Sequence, residues 1–148
     1  MQRRSFVGLL SIFAFPALLL GAGCTKKEDV RCSFCGMKLD ATSAWNAELV
    51  TAKGPVKYDT PRCAFTAWRT GKQDATGIRL QEFYTRTTKD GAELRFVVGS
   101  DVLGPMGPDL VPVDSARAEK FVADHGGPSV AKVLTLEQVT AAALDAIQ

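Results

Sequence analysis

The 148-residue chain predicts an α+β fold, two related strand-strand-helix units whose antiparallel sheets carry packed helices. Three observations point there. Short apolar stretches are joined by Gly, Pro and Asp at hairpin positions, as at Lys53-Gly54-Pro55 and Lys89-Asp90-Gly91. Each group of strands runs into a helix through an Asp-Thr or Asp-Ser pair and leaves it at a glycine. Finally, VKYDTPRCAFTAWRTG (56–71) and VPVDSARAEKFVADHG (111–126) share a valine, the cap pair, an arginine and the glycine stop at identical spacing. Duplication explains that match. So does the general preference of strand-to-helix junctions for these residues.

The elements follow in order. Residues 44–51, AWNAELVT, have strand character, and Val56-Lys57-Tyr58 starts a second strand after the Lys53-Gly54-Pro55 turn. Thr60 caps a helix with Pro61 at its first position, continuing through Phe65 and Trp68 to Arg69 before Gly71. Residues 71–79 read as a loop. The stretches 80–87 and 94–98 then read as a hairpin about Asp90-Gly91. Leu110-Val111-Pro112-Val113 is extended and belongs at a sheet edge, since proline donates no ladder bond. Asp114-Ser115 caps a helix over 116–125, residues 131–134 form a strand, and 136–147 form a closing helix with Leu136, Val139, Ala143 and Leu144 on one face.

The first 23 residues fall outside this fold. A positive start, an apolar run from Phe6 to Leu20 and small residues up to Cys24 have the layout of a secretory signal. Arg3-Arg4 before Ser5-Phe6-Val7 resembles a twin-arginine signal. Leu20-Gly21-Ala22-Gly23-Cys24 resembles a lipoprotein box, with Cys24 as the lipidated first residue of the mature chain. Residues 24–31 then serve as a polar tether, and 32–148 as one domain with halves at about 32–72 and 80–148. A periplasmic protein held to the membrane by lipid at Cys24 is the expectation. Cleavage removes Arg3 and Arg4 and leaves 16 acidic side chains against an equal number of basic ones, so no basic surface suggests a nucleic-acid partner.

Three cysteines remain in the mature chain: Cys32, Cys35 and Cys63. An odd number argues against a purely structural disulfide set. Cys32-Ser33-Phe34-Cys35 has the spacing of a metal knuckle or of a redox pair. It precedes the first strand, whereas thioredoxin-like chemistry needs the pair at a helix start within a βαβ unit. Zinc is a competitor, because Cys32, Cys35, Cys63 and His125 make a closed three-sulfur, one-nitrogen set. His125 equally suits a solvated helix end.

The methionines favour a softer ion. Met37 follows Gly36, and Met106 lies in Gly104-Pro105-Met106-Gly107-Pro108, so both thioethers stand in tight Gly/Pro segments and not in a helix or strand core. Thioethers with thiolates select Cu(I). Cys63 falls in the first turn after the Thr60 cap, where the helix dipole favours a thiolate. The candidate ligands are therefore Cys32, Cys35 and Met106 first, then Met37 and Cys63, with His125 last.

Cys32-x-x-Cys35-Gly36-Met37, Tyr58-Asp59 before a helix, Val97-Val98-Gly99-Ser100-Asp101, Gly104-Pro105-Met106-Gly107-Pro108 and Gly126-Gly127, in this order, resemble the NosL family of copper-binding lipoproteins. The resemblance implies a fold related to organomercurial lyase. It also implies a Cu(I) metallochaperone, not an enzyme, that delivers copper to a receiving enzyme or its maturation complex, namely nitrous oxide reductase. Two other classes compete: a thiol enzyme, either a disulfide exchanger or a lyase using Cys63, a knuckle cysteine and Asp59 as proton carrier, and a structural zinc module.

Overall fold

The computed structural model describes residues 29–127 and 131–147. The expected export signal, Cys24 and most of the expected tether lie outside the described residues. No described helix is long and apolar enough to cross a membrane.

The first sheet has four strands in the order β2-β1-β3-β4, all antiparallel: β1 (Ala47–Thr51), β2 (Gly54–Tyr58), β3 (Gly77–Gln81) and β4 (Thr88–Asp90). Period-two alternation decides its faces. Ala47, Leu49, Tyr58, Ile78 and Leu80 point inward and are buried, while Glu48, Lys57 and Arg79 share the outer face. Pro55 sits on the edge strand β2, where its missing N–H is harmless. Helix α1 (Pro61–Arg69) packs on the inner face through Cys63, Ala64, Phe65 and Ala67. The predicted strand, turn, strand, cap and helix all form here.

The second sheet has the order β8-β5-β9, with β5 (Leu94–Val98) between β8 (Val111–Asp114) and β9 (Lys132–Leu134). Strand β5 is covered on both faces. Phe96 enters the main core and meets Phe65 edge-on at 4.9 Å, while Val97 faces the second cluster with Val111, Val113, Ala118 and Phe121. Pro112 lies on an edge strand, as expected. A small hairpin, β6 (Leu103–Gly104) and β7 (Gly107–Pro108), precedes β8. Helix α2 (Ala118–His125) follows a 3₁₀ turn over Ser115–Arg117 that Asp114 caps, and α3 (Ala141–Asp145) closes the described chain against α1.

Three local expectations change. The hairpin of 80–87 with 94–98 does not form; β3 pairs with β4, and β5 belongs to the other sheet. Gly91 makes the crossing possible. A Cβ there would lie 2.5 Å from Ile78 Cγ2, so the backbone passes over the first sheet too closely for any side chain. Strand β3 begins at Gly77, inside the segment that reads as loop, while 82–87 turn about buried Glu82, which accepts bonds from the Thr85 amide and hydroxyl and from the Asp114 amide. The closing helix shrinks to Ala141–Asp145. Residues 136–140 are instead held by Arg69, whose guanidinium donates to the carbonyls of Leu136 and Val139 at 2.7 and 2.8 Å.

Candidate metal centre

Cys32 and Cys35 sit in a tight loop clamped by backbone bonds. The Cys32 amide donates to the Met37 carbonyl (2.8 Å), the Gly36 amide to the Cys32 carbonyl (3.0 Å), and Arg31 bridges Lys38. Gly36 has φ +77°, a left-handed conformation that favours glycine at the turn. The Ser33 amide donates to the Lys57 carbonyl, hanging the loop on the edge of β2. Cys32 is thereby driven inward and buried, while Cys35 stays exposed.

The other two groups come from the β2–α1 junction. Asp59 leaves the strand, Thr60 adopts the extended cap conformation, and Cys63 becomes the third helical residue, its amide donating to Thr60 Oγ1 at 3.2 Å. The sulfurs of Cys32, Cys35 and Cys63 and a carboxylate oxygen of Asp59 all lie within 4.8 Å of one another. Cys35 donates to Asp59 Oδ2 at 3.5 Å; Asp59 Oδ1, also buried, has no partner among the described residues.

One negative charge is readily held among the three sulfurs, and it settles on Cys32. The Cys63 thiol donates to Cys32 and brings its pKa down to about 6, against the opposing effect of burial. Cys63 is pushed up because it is the donor, because it is buried, and because Asp59 lies beside it. This reverses the expectation of a dipole-stabilised Cys63 thiolate. The fractional charge of one helix end is outweighed by the adjacent Cys32 sulfur and the buried carboxylate. Burial also raises the thiol pKa of Cys35.

The expected ligands separate into three groups. Cys32, Cys35 and Cys63 converge. Met37 belongs to the same loop and is 41% exposed. Met106 is 57% exposed at the tip of the β6–β7 hairpin, whose base is tied to the first turn of α1: the Arg62 amide donates to Asp109 Oδ1 (2.9 Å) and its guanidinium to the Pro108 carbonyl. His125 is elsewhere. Its Nδ1 lies 3.1 Å from Asp101 Oδ1 and its ring packs at 4.9 Å from Phe121, in the second cluster, so the three-cysteine, one-histidine set is not assembled. Asp59 takes the fourth place in the group. In the sequence it reads as a strand end and as a proton carrier, and only its position one residue before the cap, ahead of Cys63, hints at this placement.

A cavity of about 570 Å³ lies on the outer face of the first sheet, lined among others by Val30, Leu39, Glu48, Lys57 and Arg79. None of the thiols lines it. The thiol cluster instead meets solvent directly through Cys35, an opening that suits an ion passed between proteins.

Comparison with known proteins agrees with this architecture. No curated protein sequence matches the chain. Among solved structures, the fold is similar to the crystal structure of the copper chaperone NosL from Shewanella denitrificans, with a TM-score of 0.65 at 20% sequence identity over 76% of this chain and 91% of that one. The α+β class with antiparallel sheets is therefore shared with a solved fold. The family model described as NosL matches residues 24–144, from the proposed lipidation site to the last helix, and the chain belongs to the NosL family.

Proposed function

We propose that this protein is a periplasmic, lipid-anchored metallochaperone that carries Cu(I) to a copper-receiving enzyme or its maturation complex, with nitrous oxide reductase as the recipient. The observation that carries the reading is the convergence of three thiols from two separate elements beside one carboxylate. Sulfur donors suit a soft monovalent ion, and Cys32 supplies a thiolate before any metal arrives. The asymmetry of the cluster suits transfer. Two sulfurs are buried, whereas Cys35 is open to an acceptor's own ligand, which replaces it first. Met37 and Met106, both exposed, are thioethers available to the ion on its way in or out. The likeness to the Shewanella copper chaperone supports the cargo. The twin-arginine start and the lipoprotein box support the location.

The test is anaerobic titration of the soluble part with Cu(I) against a chromophoric chelator. One tightly bound Cu(I) per chain is expected, lost when Cys32 or Cys35 becomes serine and weakened by Met106→Leu. Zn(II) binding that ignores Met106→Leu would instead identify a structural zinc module.

Asp59 favours a second reading, cleavage of an organomercurial. Thiolates would keep the metal while the proton that Cys35 shares with Asp59 passes to the leaving carbon. Hydrocarbon release from a mercurial substrate would establish it. A chaperone releases none.

A further inference from the structure

We propose that Cys35 is a thiolation site through which the cluster is oxidised: an external disulfide attaches to Cys35, and Cys32 then displaces it to close a Cys32–Cys35 disulfide. The exposure gradient sets the order of events. Cys32 is 3% and Cys63 6% exposed, so a reagent as large as a tripeptide disulfide reaches Cys35 first. The loop sets the resolving partner. The Gly36 amide bonded to the Cys32 carbonyl at 3.0 Å and the left-handed Gly36 hold Cys35 back over Cys32, with their sulfurs inside the 4.8 Å cluster. Cys32 and Cys35 share one tight turn, so their disulfide forms within the loop, whereas a bond to Cys63 joins the loop to the buried face of α1.

The exchange balances in two steps. Cys35 attacks one sulfur of the external disulfide, forming a mixed disulfide and releasing one thiol. Cys32 attacks the Cys35 sulfur of that mixed disulfide, forming the internal bond and releasing the second thiol. The two cysteine sulfurs lose two electrons and the external disulfide gains them; the Cys35 proton leaves on the first released thiol, and the second, displaced by the Cys32 thiolate, leaves as a thiolate that takes its proton from solvent. Of the four clustered groups the product leaves only Cys63 and Asp59 free, so the cluster keeps a single thiol for a soft ion. The oxidation itself stands apart from the copper reading; only its effect on metal uptake rests on that reading.

Reduced metal-free protein is incubated with oxidised glutathione and followed by intact mass and disulfide mapping. The wild type passes through a transient glutathione adduct to Cys32–Cys35 with Cys63 free. Cys32→Ser stops at a stable adduct on Cys35, Cys63→Ser behaves like the wild type, and Cys35→Ser oxidises at least about tenfold more slowly. A lasting adduct in the wild type, a disulfide containing Cys63, or undiminished oxidation of Cys35→Ser would overturn the proposal. The wild-type mapping decides the matter even where a variant folds poorly. Oxidised protein should also lose Cu(I) uptake and regain it with dithiothreitol. Unchanged uptake after oxidation overturns the gating, whereas a reduced protein that takes up no Cu(I) counts against the copper reading and leaves the thiol chemistry standing.

Discussion

Cys35 donates its thiol proton to Oδ2 of Asp59 across 3.5 Å, joining residues 24 positions apart in the chain. The bond ties the exposed loop to the start of α1, and it sets a buried carboxylate beside a thiol that gives up its proton when a metal binds.

That carboxylate opposes ionisation of its neighbours, raising the thiol pKa of both Cys32 and Cys63. Asp59→Asn should therefore lower the midpoint of thiol ionisation, read by ultraviolet thiolate absorbance, and strengthen apparent Cu(I) binding at neutral pH by roughly tenfold for each pH step gained. Weaker binding would show instead that Asp59 itself ligates the ion.

The Cys32 thiolate depends on the Cys63 donor. In the metal-free protein one thiol should ionise with a midpoint about 6. With Cys63→Ala that midpoint should climb toward the ordinary value of 9.0, because burial then acts without the bond that offsets it. A pH titration of thiolate absorbance on both proteins checks this.

Asp109 gives a pH dependence of opposite kind. Burial lifts its pKa to about 6, against the bonds it accepts from the amides of Leu110 and Arg62. A folded-state pKa above the unfolded one means that the stability it contributes is full below about pH 4 and is lost as pH rises through about 6, a loss of roughly 3 kcal/mol at most. Since both amides bond the same oxygen, Asp109→Asn can keep them. Urea unfolding from pH 4 to 7 should show this loss in the wild type and little of it in the variant.

Gly91→Ala should destabilise the fold by about 1–3 kcal/mol, because the added methyl meets Ile78 Cγ2 at 2.5 Å and the Ile78 carbonyl at 3.2 Å. Thermal unfolding measures it. An unchanged midpoint would mean that the crossing between the sheets relaxes freely.

Much of this architecture is legible along the chain, since the signals involved are local. Thr60-Pro61 starts α1, Arg69 ends it ahead of Gly71, and Pro55 and Pro112 mark edge strands. The misread elements are those whose local signal competes with a distant partner. Lys89-Asp90-Gly91 has hairpin chemistry, yet steric closeness to Ile78 turns it into a crossing, and the apolar period of 136–147 yields to the carbonyl bonds from Arg69.

The sequence by itself determined the soft-donor inventory and the two places that present it, a Gly-closed cysteine loop and a capped helix start, because spacing, caps and turn residues act over a few positions. Only the tertiary structure decided which donors meet. Hanging the loop on the β2 edge beside the β2–α1 junction brings Cys32 and Cys35 to Cys63 and adds Asp59, while burial of the α2 face in the second cluster carries His125 away. Convergence of that kind depends on packing between residues far apart in the chain, and no local pattern encodes it.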